Sequence, residues 1–254
     1  MKTEQEYLFE FLLRLGDDQL ILGHRLSEWC GHAPILEEDI ALANISLDCI
    51  GQSSALLKLA AEIEEKGRTE DTLAYFREAT QFKNIQLVEQ PNGDFAFTIA
   101  RQFLFDVYVY LLYEKIQHST HPTLSGIAAK AFKEITYHLR HSKEWMLRLG
   151  DGTEESHKRL QNAVDELWTF TDELFAFDEV ENALVSAKII PPLISLQQEW
   201  NEMVKKVLAE ATIKLFNEQC YKVKGSRKGK HSEHLGHLLA EMQILARSFP
   251  TAKW

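Results

Sequence analysis

The 254-residue chain is short of the residues that interrupt helices, with 12 glycines and 6 prolines, well under the roughly 12% that an average soluble protein devotes to the pair. So few turn formers exclude a fold of many short strands and favour long, uninterrupted elements. Cysteine is scarcer still. Cys30, Cys49 and Cys220 are far apart and contain no CxxC pair, so they can build neither a disulfide framework nor a zinc knuckle. Positive charge is in deficit: 28 Lys and Arg against 38 Asp and Glu leave a net charge of −10, which disfavours nucleic acid or an anionic membrane as partner. The opening MKTEQEYLFEF has no apolar run of signal-peptide length, and no stretch reaches the roughly 20 apolar residues of a membrane span. A soluble, cytoplasmic protein is expected, with no nucleic-acid and no membrane partner.

What the sequence has instead is helical periodicity, in a composition of 45% hydrophobic and 26% charged residues. Leu15, Asp18, Leu22 and Leu26 recur at intervals of three and four, as do Ile45, Asp48, Gln52, Ala55 and Leu59, so two long helices are expected. Glu64-Glu65-Lys66-Gly67 ends the second, and Gln90-Pro91-Asn92-Gly93-Asp94 is a strong turn, with a short helical piece between them. A third helix carries Ile99, Phe103, Asp106, Val107 and Tyr110. A fourth begins after His121-Pro122 and carries Ile127, Ala131, Glu134, His138, His141 and Trp145. Gly150-Asp151-Gly152 stops it, and Thr153 caps a fifth helix running to about Phe177. After Pro191-Pro192 come a helix from about Ser195 to Lys214 and a last one from about Ser232 to Ser248. No shift in composition marks a boundary and no repeat signals a solenoid. The expectation is a single all-α domain over residues 1–254, a four-helix bundle core with additional C-terminal helices.

Each of the first four long helices places an acid inside its apolar stripe: Asp18, Asp48, Asp106 and Glu134. Di-iron proteins built on four helices use a carboxylate from each of two helices and an ExxH pair from each of the others, because residues i and i+3 face the same way and hard metal ions take oxygen and imidazole ligands. The separations from Asp18 to Asp48 and from Asp106 to Glu134 suit two antiparallel helical hairpins and are compatible with a ferritin-like core, although any pair of long antiparallel helices would permit them. The ligand set is incomplete. Three residues after Asp48 stands Gly51, three after Glu134 stands Tyr137, and His138 follows only at i+4. Two readings follow: a degenerate metal site, or acids paired internally with neighbours such as His24, Arg25, Arg101 and His138, since an unpaired buried carboxylate costs several kcal/mol.

Other polar groups carry less. Gly225-Ser226-Arg227-Lys228-Gly229-Lys230 lacks the GxxxxGK[ST] pattern of a nucleotide loop. With Lys224 it reads as a flexible basic loop, either contacting an acidic partner or a phosphorylated ligand through Lys224, Arg227, Lys228 and Lys230, or simply solvated. His231, His234 and His237 read as capping or surface residues. Trp29, Trp145, Trp168 and Trp200 read as core or interface anchors, and Cys30 and Cys49 have no paired base that would make either a nucleophile.

Four stretches, Arg14–Gln52 (RLGDDQLILGHRLSEWCGHAPILEEDIALANISLDCIGQ), Val88–Phe103 (VEQPNGDFAFTIARQF), Lys133–Trp145 (KEITYHLRHSKEW) and Lys228–Gln243 (KGKHSEHLGHLLAEMQ), closely resemble the C-subunit family of bacterial phenylacetyl-CoA 1,2-epoxidases. The resemblance spans nearly the whole chain. It implies a ferritin-like, structural subunit of a monooxygenase that uses oxygen and reducing equivalents to epoxidise the ring of phenylacetyl-CoA in phenylacetate catabolism. It also implies the partners: a catalytic subunit that carries the di-iron site, small subunits, and a flavin and iron-sulfur reductase. No cofactor and no catalytic residue are implied for this chain itself, in keeping with Gly51 and Tyr137. Isolated, the chain is expected to be capable of forming a homodimer. The competing expectation is a ferritin-like metal-binding oxidase acting alone through Asp18, Asp48, Asp106, Glu134 and His138.

Overall fold

The computed structural model describes residues 2–215 and 221–252, so Cys220 lies outside the described residues. In chain order the helices are α1 (Glu4–Ser27), α2 (Leu36–Glu64), α3 (Glu70–Tyr75), α4 (Gln86–Glu89), α5 (Phe95–Ile116), α6 (Pro122–Gly150), α7 (Glu154–Leu167), α8 (Glu179–Ser186), α9 (Leu196–Glu210) and α10 (Glu233–Ser248), with no strand among the described residues. They fall into two compact units, the first formed by residues 1–91, 177–187 and 225–254, the second by residues 92–176 and 188–224.

The first unit is built on the antiparallel pair α1 and α2. Thr3 and Glu6 close a capping box at the start of α1, satisfying two backbone donors that have no partner inside the helix. Every residue from Phe11 to Gly23 is buried, so charged groups on this helix must find partners inside the protein. Close approach of the two helices depends on small residues: a Cβ at Gly23 would lie 2.9 Å from Ile50 Cγ1, and Ser46 Oγ donates to Gly23 O at 2.7 Å. Packed onto this pair are α8 and α4 on α1, and α3 on α2, with α10 on α3.

The second unit repeats the plan with α5 and α6, against which α7 and α9 pack. Asp94 caps α5 by accepting from Phe97 N at 2.9 Å, and α6 starts with His121 as cap and Pro122 in its first turn, where the missing N–H of proline costs nothing. Around Trp200 the rings of Trp168 and Phe175 lie at centroid distances of 5.6 and 5.4 Å, while its indole donates to Leu104 O at 3.0 Å.

Four expectations change. The fifth helix ends at Leu167 and continues as a 3-10 turn over Trp168–Phe175, and α8 lies in a stretch with no expected element. The penultimate helix stops at Glu210. Finally, α2 and α5 are long and apolar enough to cross a membrane by length and composition, although no span was expected. Most of the apolar window of α5 is buried within the fold, which is the signature of a core helix. The window of α2 is less than half buried.

Candidate functional site

The four acids expected on apolar faces do not share one environment. Asp18 is fully buried on α1 and is held by Arg227, whose Nη1 and Nη2 donate to its two oxygens at 2.9 and 2.8 Å. The backbone N–H of Ile85 adds a third bond at 2.9 Å. Loss of hydration lifts its pKa to about 6, even though Arg227 and Ile85 stabilise the carboxylate. Asp48 is half-buried, and Gly51 is exposed with open space where a side chain would stand. In the second unit Asp106 is fully buried. Gln102 Nε2 and Ser142 Oγ donate to it, each at 2.7 Å. Burial pushes its pKa to about 7, against the opposing charge of nearby His138 and these two hydrogen bonds. Glu134 lies in the middle of α6, partly buried, 3.7 Å from the Lys130 ammonium, and Tyr137 is 53% exposed, stacked on His141 at 6.5 Å.

Asp18 and Asp48 thus belong to the first unit, and Asp106, Glu134, Tyr137 and His138 to the second. The donors do not fit a dinuclear metal centre. Both oxygens of Asp18 are occupied by a guanidinium, Gly51 offers no donor, and Tyr137 is turned to solvent. Among the described residues no group of three or more His, Cys, Asp and Glu side chains could hold a metal ion.

The basic loop is also corrected. Arg227 is not a free surface cation: it is buried and clamps Asp18, with Nη1 also donating to Lys83 O at 2.6 Å. Gly225 and Gly229 adopt left-handed φ angles of 107° and 82°, a conformation that costs glycine little. A Cβ at Gly229 would meet Thr80 O at 2.4 Å. The turn is therefore packed rather than flexible. Lys224, Lys228 and Lys230 remain exposed.

Several buried ion pairs in the first unit had no signal in helical spacing. Asp17 is bound by Arg77, one of whose bonds measures 2.9 Å, and by Lys83 N at 2.8 Å. Arg14 forks onto Glu181 at 2.8 and 2.9 Å and reaches Asp178 at 3.0 Å. Glu89 collects His231 Nδ1 at 2.5 Å, Asn84 Nδ2 at 2.8 Å and both Ser232 donors at 2.6 and 2.8 Å. His231, expected at the surface, is thus an interior partner of Glu89, and its Nε2 faces Phe82 O at 3.0 Å. Only the Asp17-Asp18 doublet inside an apolar run could have hinted at this network. In the second unit an open groove of 860 Å³ lies over α5 between α6 and α9, with Tyr110, Leu139 and Met203 among its apolar lining and Lys143 and Lys206 among its charged lining.

A family of phenylacetic acid catabolic proteins matches residues 1–254. The chain belongs to that family. Over 247 residues it is 49% identical to the C subunit of 1,2-phenylacetyl-CoA epoxidase from Escherichia coli (strain K12), a match covering 97% of this chain and 99% of the relative. The all-α, ferritin-like class expected from the sequence is the class of this family. The two antiparallel helix pairs, α1–α2 and α5–α6, are the elements that express it here.

Proposed function

We propose that the chain is a non-catalytic, cytoplasmic subunit of a multicomponent monooxygenase that epoxidises phenylacetyl-CoA in phenylacetate catabolism. In this reading it pairs with and supports a catalytic subunit that carries the di-iron centre, alongside small subunits and a reductase. The observation that carries the proposal is the end-to-end similarity, at 49% identity, to the C subunit of an epoxidase; the commitment of buried Asp18 to Arg227 agrees with it. An acid whose two oxygens are both engaged by an internal guanidinium is committed to the scaffold rather than to a metal. The test is reconstitution: the di-iron subunit, small subunits and reductase assayed for phenylacetyl-CoA epoxidation with and without this chain, with metal content measured on each chain separately. The reading requires that turnover depend on this chain and that iron travel with the other subunit. Full turnover in its absence, or about two irons in this chain, refutes it.

A further inference from the structure

The chain carries a net charge of −10, yet one long helix reverses the sign. On α6 five basic residues (Lys130, Lys133, Arg140, Lys143 and Arg148) stand against Glu134 and Glu144, whereas α1 and α2 are acidic and α5 is balanced. Salt confines the reach of an exposed charge to about 8–10 Å, so a molecule approaching α6 meets this local excess rather than the net charge. Both acids are already used. Glu134 faces Lys130 at 3.7 Å, and Glu144 faces Arg140 and Arg148 at 3.0 and 4.0 Å. Lys133 and Lys143 pair with no acid among the described residues. With Arg140 they fall on one stripe of the helix, at i, i+7 and i+10.

That stripe borders the 860 Å³ groove of the second unit. Phe103, Leu111 and Val207 form its buried floor, and Tyr110, Leu139 and Met203 are half-buried above it. Thr136 to Leu147 line one wall, a length of about 16 Å or three helical turns. The facing wall on α9 has its acids engaged: Glu199 pairs with Lys115 at 2.9 Å, and Glu202 accepts from Gln198 at 2.9 Å. We propose that groove and rim together receive a segment of a partner polypeptide that presents an apolar stripe bordered on one side by acidic residues. The apolar side chains cover the floor, and the acids meet Lys133, Arg140 and Lys143. The length of the wall suits an amphipathic helix, whose side chains at i, i+3 or i+4, and i+7 reach into such a groove. A concave floor admits projecting side chains and gives a flat lipid surface little to bury. The inference rests on the multi-subunit role proposed above and adds to it a place and a chemistry of contact.

The test is calorimetric titration of the full chain with each of the other purified epoxidase subunits in turn. Lys133→Glu combined with Lys143→Glu reverses the rim without removing an internal ion pair, and Met203→Glu puts a charge inside the groove. Lys58→Glu combined with Lys66→Glu makes the same change of net charge in the first unit and serves as the control. The parent should bind a subunit with an affinity that falls as salt rises. The rim variant should weaken that binding at least about tenfold and flatten its salt dependence. Met203→Glu should weaken it at every salt concentration, and the control pair should bind like the parent. Circular dichroism melts confirm that the variants remain folded. The proposal is overturned if the rim variant binds like the parent, or if the control pair weakens binding as much, since net charge rather than this face would then be responsible. It is also overturned if the rim variant loses adsorption to phosphatidylcholine–phosphatidylglycerol vesicles while its subunit binding stays intact, which would assign the stripe to a lipid surface. Each of these results leaves the subunit role standing, whereas a parent that binds no other subunit refutes both.

Discussion

Asp106 is the residue whose chemistry depends most on its surroundings. In an unfolded chain its carboxyl has an ordinary pKa of 3.8, and in the fold about 7. The native state therefore holds a proton that the unfolded state has lost. The resulting stabilisation is complete below about pH 4 and disappears as pH rises through about 7. Asn at this position would keep the shape, accept from Gln102, and donate to Ser142 Oγ, whose hydroxyl can turn to Leu139 O at 3.4 Å. Asp106→Asn should accordingly flatten the pH dependence of stability between pH 4 and 7. Relative to the parent it should gain up to about 4 kcal/mol at pH 8 compared with pH 4. Denaturant midpoints at the two pH values decide it; equal shifts at both would mean that Asp106 carries no such burden. Asp18 and Glu134 differ in the opposite sense. Removing Asp18 strands the buried Arg227, so Asp18→Ala should cost about 3–5 kcal/mol. Glu134→Ala loses an i,i+4 contact with an exposed lysine and should cost under about 1 kcal/mol. Equal losses in urea melts would show that the burial contrast has been misjudged.

At the scale of elements, helix ends were legible because they are written in local chemistry. Asp94 and Thr153 each cap the helix that follows, Ser232 precedes α10 by one residue although its hydroxyl goes to Glu89, and the break at Glu64–Gly67 coincides with the end of α2. The apolar stripes of α1, α2, α5 and α6 were equally legible. What spacing could not reveal is which polar residue on a stripe is buried and by what: Asp18 and Glu134 look alike in sequence, and only the long-range approach of Arg227 separates them. The short helix α8 was missed although Asp178 and Glu181 form a local capping box at its start; the same two acids are also held by Arg14 from a distant part of the chain. Tight crossings are another long-range feature. At Gly150, the last residue of α6, a Cβ would stand 2.1 Å from the carbonyl oxygen of Ala211 just beyond α9, and backbone cannot yield as a flexible side chain can. Gly150→Ala should then lower stability by about 1–3 kcal/mol. By contrast Gly126, also in α6, has open space at the same position, so Gly126→Ala should raise stability by up to about 1 kcal/mol through helix propensity. A matched pair of thermal melts checks both signs.

For the whole molecule, the order of the chain matters as much as its contacts. The first unit is assembled from three separate stretches, and the last of them supplies both Arg227 to Asp18 and His231 with Ser232 to Glu89. Two carboxylates buried early in the sequence therefore wait for partners more than 140 residues away. A chain ending at Lys224 would leave both without those partners. At about 3–5 kcal/mol for each broken buried pair, the loss approaches the roughly 5–15 kcal/mol by which a domain is stable at all. The truncated chain should lose the cooperative unfolding transition and bind a hydrophobic dye. A chain ending at Ser248 removes only residues that are exposed where described, and its melting temperature should stay within about 2 °C of the parent. If the chain ending at Lys224 melts cooperatively near the parent temperature, the C-terminal stretch does not secure the buried acids, and their neutralisation must come from within the first 224 residues.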